Sequence, residues 1–203
     1  MQTPTAQTLL LPYPRQALLG GYKTEACLRL YGYLHTGLDI ACTAGGSRVR
    51  ASGRGTVVAA GWDGLYGWGL AVLYPDCLGA DRSVAPLIAR YLHLAALLVR
   101  TGDTVAAGDP IAREGSIGTG TPHLHLELDA DLSCPCRTPQ IGEGHAFWRG
   151  GTDTTVDPAL WLWQGEGQTI AAGDCDPAWL GFAAQRLLSG AAKVHSLYRM
   201  QSQ

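Results

Sequence analysis

Pro122-His123-Leu124-His125-Leu126-Glu127-Leu128-Asp129 is the stretch that decides the reading of the chain. Successive side chains of a strand point to opposite faces. Leu124, Leu126 and Leu128 then share one face, and His123, His125, Glu127 and Asp129 share the other. The leucine face belongs in a core. The opposite face carries two imidazoles about 7 Å apart along the strand, from the rise per residue. At that spacing one ring can bind a metal while its neighbour works on the metal's substrate. A purely structural strand explains the leucines and leaves the histidines without a reason.

The text on either side is also strand-like. Leu38 and Ile40 alternate with Gly37, Asp39 and Ala41, and Val57 and Val58 follow a Gly-x-Gly turn. Leu70, Val72 and Tyr74 form another alternating run, followed by Tyr91 to Leu98. Val99 to Ile111 reads as strand–turn–strand–turn around Gly102 and Gly108. Short strands punctuated by glycine and proline indicate a mainly β, antiparallel architecture. Residues 1–30 read as an irregular lead-in broken by Pro12, Pro14 and Gly20-Gly21. Residues 77–87 and 129–152 read as loop insertions, and Val156 to Trp163 as an apolar closing element. Asp176-Pro177 offers a helix start, with an N-cap aspartate and proline at the first helical position. Residues 164–203 are therefore expected to form a C-terminal, helical extension.

A length of 203 residues favours one domain with attachments. The net charge of −2 supplies no basic surplus, which argues against nucleic acid as a partner. No run approaches the roughly 18 apolar residues of a transmembrane helix. Residues 1–14 contain no Lys or Arg and only Leu9–Leu11 as an apolar run, so no secretory signal is visible. Six cysteines (Cys27, Cys42, Cys77, Cys134, Cys136 and Cys175) suit either disulfides in an oxidising compartment or buried thiols. Cys134-x-Cys136 lacks the second pair that would complete a structural zinc site.

The chemistry concentrates in four of the six histidines: His35, His93, His123 and His125. His35, Gly37 and Asp39 share a face if the alternation of that segment is followed, and Gly37 leaves room between two potential ligands. Zinc hydrolases typically use three protein ligands and keep a fourth position for water. Two neutral imidazoles with one carboxylate leave a zinc site at +1, and that residual charge stabilises hydroxide near neutral pH. His-x₃-Asp alone is common by chance. His-x-His on one strand face is less so, and the combination is specific.

In its ordered motifs the chain resembles the lysostaphin-type zinc metallopeptidases, endopeptidases of bacterial peptidoglycan. The resemblance spans about residues 31–163. It rests on His35-Thr-Gly-Leu-Asp39, Val49-Arg-Ala-Ser-Gly53-Arg-Gly55-Thr-Val57, Ala60-Gly61-Trp62 and Tyr66-Gly67-Trp-Gly69. It continues through Tyr91-Leu-His93-Leu, Gly102-Asp103-x-Val105-x-x-Gly108, Gly115-Ser116-Ile-Gly118-Thr119-Gly120, Pro122-His123-Leu-His125-Leu-Glu127 and Val156-Asp157-Pro158. It implies a barrel-like antiparallel β-sandwich. It implies one Zn²⁺ per chain on His35, Asp39 and His125. His93 and His123 become a non-ligand catalytic pair, one taking a proton from water and the other supporting the oxyanion. The expected substrate is peptidoglycan peptide, and the expected site of action is extracytoplasmic or in the cell envelope. Non-catalytic relatives, which act as scaffolds regulating another hydrolase, commonly lose zinc ligands; no ligand position is lost here.

Other positions carry weaker expectations. Tyr31 and Tyr33 precede the first ligand, where the family often has a tyrosine that reaches the oxyanion, but out of register. Trp62 and Trp68 either line a groove or pack. Glu127 either supports the metal ligands or stands at a groove rim. Tyr91 reads as packing, and His145 and His195 as surface residues. The turn before His123 reads Gly-Thr-Pro where many members have Gly-Pro. The glycine turn pattern also fits biotinyl and lipoyl carriers, but the only lysines, Lys23 and Lys193, lie outside the β region.

Overall fold

The structure is a computed structural model, and it describes residues 6–43, 48–64, 66–133 and 153–171. The described chain is mainly β, in keeping with the alternation in its sequence. Its strands are β1 (Leu9–Leu10), β2 (Arg15–Gly20), β3 (Leu38–Cys42), β4 (Arg48–Arg50), β5 (Gly55–Asp63), β6 (Gly67–Leu78), β7 (Val84–Leu97), β8 (Thr104–Val105), β9 (Pro110–Glu114), β10 (Leu124–Asp129), β11 (Thr155–Val156), β12 (Leu162–Trp163) and β13 (Thr169–Ala171). One α-helix, α1 (Glu25–Tyr31), and a short 3₁₀ turn at Pro158–Leu160 interrupt them among the described residues.

An eleven-stranded sheet runs in the order β13-β2-β3-β10-β7-β6-β5-β8, with β4 and β9 branching from β7 and β11 pairing with β10. Its pairs are antiparallel except β13 with β2, and β1 pairs separately with β12 in parallel. The His-x-His strand β10 lies between β3 and β7, so it is hydrogen-bonded on both edges. Leu124, Leu126 and Leu128 are fully buried and join one core with Leu38, Ile40, Val72 and Tyr91. Burying each such leucine contributes about 1.5–3 kcal/mol, which fixes the register of β10. Tyr91 is a packing residue, its hydroxyl bonded to those of Tyr74 (2.8 Å) and Ser52 (3.1 Å).

Two segments are more ordered than their sequence suggests. Residues 1–30, read as irregular, contain β1, β2 and α1, and β2 is an interior strand. The insertion read at 77–87 shrinks to a turn between Leu78 and Val84, because β6 and β7 continue through Pro75-Asp76 by an irregularity between Tyr74 and Cys77. Asp76 takes a left-handed φ of 52° there. Within the segment read as a C-terminal extension, Thr169–Ala171 adds a strand to β2. The helix expected after Asp176-Pro177 lies outside the described residues, as do 134–152, His145, His195, Cys134, Cys136 and Cys175. Cys27 and Cys77 are buried thiols. Among the described residues, no helix is long and apolar enough to cross a membrane.

Candidate metal centre

The register of β10 sets the site. His125 stands directly opposite Asp39 on β3, and Glu127 directly opposite Arg90 on β7. Residues paired in this way carry side chains on one face within contact distance. His35 reaches the same place by another route. It precedes β3 instead of lying on it, so strand alternation does not bring it to Asp39. Helix α1 opens on Thr24, whose hydroxyl accepts from the Cys27 amide, and ends at Gly32 with φ 76°. The left-handed turn, which glycine adopts without cost, sends the chain back toward Gly21. There His35 Nδ1 donates to the Gly21 carbonyl at 2.8 Å. In the neutral ring that bond makes Nε2, the inward nitrogen, the one that can serve as a ligand atom.

Three donor atoms converge. His35 Nε2 lies 3.1 Å from Asp39 Oδ1 and 2.9 Å from His125 Nδ1, and His125 Nδ1 lies 3.0 Å from the same Asp39 oxygen. All three residues are buried. Tetrahedral ligands at zinc-ligand bond lengths would stand about 3.3 Å apart, so a shift of a few tenths of an ångström opens the cluster to that size. Two imidazoles and a carboxylate form a donor set suited to zinc. Glycines shape the space around it. A Cβ on Gly20 would meet Asp39 Oδ2 at 2.7 Å, and one on Gly37 would meet His125 Nε2 at 2.7 Å and the Leu126 carbonyl at 2.6 Å.

Electrostatics hold the cluster charged. Burial opposes protonation of His35, but the Asp39 carboxylate outweighs it and lifts the imidazole to about 10. His125 is raised against its own burial by its hydrogen bond to Asp39 and by the nearby Glu127 carboxylate. Asp39 stays well below the usual carboxylate range despite burial, because His35 and His125 face it.

His93 and His123 flank the cluster. Their rings are 5.1 Å apart, and His93 is 6.1 Å from the His125 ring. His93 Nδ1 donates to the Ile117 carbonyl at 2.7 Å and His123 Nδ1 to that of Thr121 at 2.8 Å, so each has Nε2 available. His123 Nε2 is 3.5 Å from Asp39 Oδ1. His93 lies at a bulge in β7, with φ 63° and its amide donating to Tyr66 O. Few side chains occupy that region, although histidine is enriched there. Burial, followed by the charge of His125, pushes His93 down to about 4.

The tyrosine beside His93 is Tyr66, with ring centroids 5.6 Å apart, and burial raises its hydroxyl's proton affinity. The sequence reading placed Tyr66 in a motif but gave it no role. Tyr33 is half-buried and shifted upward by burial and by the Asp39 charge. The side chain of Tyr31 lies outside the described residues. Trp62 and Trp68 pair across β5 and β6, meet edge to face at 5.6 Å, and remain 56% and 36% exposed. Glu127 is fully buried, which excludes the groove-rim reading.

The model of peptidase family M23 matches residues 33–134. A Pseudomonas aeruginosa lipoprotein NlpD/LppB homolog is 40% identical over 97 residues, covering 48% of this chain and 30% of that protein. Glycyl-glycine endopeptidase ALE-1 of Staphylococcus capitis is 37% identical over 101 residues, covering 49% of this chain and 26% of the relative. The chain thus spans under a third of the length of these relatives. The catalytic domain of the prophage-encoded M23 protein EnpA from Enterococcus faecalis shares the fold, with a TM-score of 0.50, 23% identity, and coverage of 72% of this chain and 91% of that one. With His35, Asp39 and His125 converging inside the matched span, the chain belongs to peptidase family M23.

Proposed function

We propose that the chain is a zinc-dependent endopeptidase that hydrolyses peptide bonds of bacterial peptidoglycan, acting outside the cytoplasm or in the cell envelope. The observation that carries this reading is the convergence of His35 Nε2, Asp39 Oδ1 and His125 Nδ1 beside two further imidazoles. His35, Asp39 and His125 would hold one Zn²⁺. When bound, zinc would lower the pKa of water to about 7 and polarise the scissile carbonyl. His93 and His123 each keep a proton on Nδ1 through a backbone carbonyl, which leaves Nε2 for chemistry, and His123 Nε2 lies 3.5 Å from Asp39 Oδ1. One ring then accepts the water proton and later delivers it to the leaving amine, and the other hydrogen-bonds the developing oxyanion. Tyr66 packs against His93 and limits its rotation. The exposed Trp62–Trp68 pair offers aromatic surface for the substrate chain.

The test combines metal analysis with mass spectrometry of muropeptides. Purified protein should bind one zinc and release new peptide ends from peptidoglycan, and His125→Ala should lose both. Stoichiometric zinc without new ends from any peptidoglycan type would overturn the enzymatic reading. Failure to take up zinc would leave the non-catalytic scaffold.

A further inference from the structure

We infer that Glu127 is a positioning residue for His125, fixing which ring nitrogen carries the proton and holding the ring in place. The inference rests on the zinc reading of the cluster. A neutral imidazole has one donor and one acceptor nitrogen. His125 turns Nδ1 toward His35 and Asp39, while its Nε2 lies 3.9 Å from Glu127 Oε1. A proton on Nε2 faces a carboxylate and leaves the Nδ1 lone pair for a cation. The carboxylate is itself anchored. Thr36, between the two ligands of the His35–Asp39 segment, donates its hydroxyl to Oε1, and Arg90 Nη1 donates to Oε2 at 3.2 Å. Arg90 Nη2 pairs with Asp129 Oδ2 at 2.8 Å, and Asp129 Oδ1 accepts from Thr154 Oγ1 and the Asp131 amide.

Charge balance points the same way. Asp39, Glu127, Asp129 and Arg90 are all buried, at 6%, 0%, 2% and 2% exposure. Three carboxylates against one guanidinium leave two negative charges to be balanced at His35 and His125, by protons on the imidazoles or by a divalent cation that would take their place. The Arg90 pairing alone explains one carboxylate of β10; it leaves the other without a countercharge unless the cluster supplies one. The two histidine ligands are thus supported differently, His35 by a neutral carbonyl and His125 by an ionised carboxylate.

The test compares wild type and Glu127→Gln by zinc titration of the metal-free protein against a chelating dye. Long-range ¹H–¹⁵N spectra of the imidazoles accompany it, with thermal melts of both metal-free proteins. Removing such a support weakens metal affinity by about tenfold to a hundredfold. That loss is expected in Glu127→Gln, together with an Nε2-protonated His125 in the zinc-loaded wild type. Affinity within about twofold of wild type, or a His125 protonated on Nδ1, would overturn the inference. If Glu127→Gln does not fold, Thr36→Val takes its place, because it frees the carboxylate without removing it. Several-fold weaker zinc binding supports the role there, and unchanged affinity overturns it. A wild type that binds no zinc would instead overturn the metal reading, and this inference with it, so the two failures are distinct.

Discussion

Replacing Gly20 by alanine tests whether β2 is a wall of the candidate metal centre. Gly20 lies where the β2–β3 register shifts, facing Asp39. Its φ is not in the left-handed region, so alanine meets no backbone penalty. The steric conflict is local and directional. An added Cβ would sit 2.7 Å from Asp39 Oδ2 and 3.2 Å from its Cβ and Cγ, against the 3.4 Å at which ordinary contact begins. The deficit at Oδ2 is about 0.7 Å, while metal ligands must lie within about 0.2 Å of their places. Because the Asp39 stem is crowded as well, rotating the carboxylate does not relieve the clash. The expected result is zinc affinity lower by about tenfold to a hundredfold, with an overpacking cost of about 1–3 kcal/mol in stability. Chelator competition measures the first and urea unfolding the second. Gly61→Ala is the control, since nothing lies within 4 Å of its new methyl. If Gly20→Ala binds zinc and cleaves like the Gly61→Ala control, the steric reasoning is refuted.

Zinc affinity should rise with pH. His35 holds a proton up to about 10 and His125 is also raised, so binding at pH 7 must expel at least one proton. Affinity then gains about tenfold or more per pH unit, and calorimetry in buffers of differing ionisation heat counts the protons. His93 acts on stability in the acid range. Its folded value of about 4 lies below the 6.5 of the free side chain, so the unfolded chain binds the extra proton between those values. Stability of the metal-free protein should fall as pH drops through that window, by up to about 3 kcal/mol from this group. Urea unfolding at pH 7 and 4.5 should show the drop reduced in His93→Gln. Trp68→Ala should change stability by less than about 0.5 kcal/mol, because the side chain is partly exposed, but should raise KM on peptidoglycan peptide.

Period-two alternation made β10 legible, because its leucine face had a single place to go. The same rule failed at His35, which a helix cap and a carbonyl position through contacts that no strand period records. Gly20-Gly21 read as a breaker. In the fold, one glycine makes room for Asp39 and the other offers its carbonyl to His35. A glycine needed for a turn and one needed for close approach look alike in a sequence. Tyr66 was hidden for a related reason: its partner, His93, is 27 positions away and is brought to it by the pairing of β6 with β7 and by the His93 amide bond to the Tyr66 carbonyl. The choice left open for Glu127 depended on burial, which follows from Arg90 standing opposite and Thr36 lying above.

The bulge at His93 also has a consequence for transferring this chemistry to another sheet. Arg90 and His93 are three positions apart, an odd interval that a regular strand would send to opposite sides. Yet Arg90 bonds Glu127 while the His93 ring meets those of His123 and His125. The left-handed residue inserts half a period, so β7 is in phase with the hydrophobic core before it and out of phase after it. A graft that copied the five histidine and aspartate side chains onto an evenly pleated host would turn one imidazole inward. The phase error belongs to this constellation as much as the side chains do.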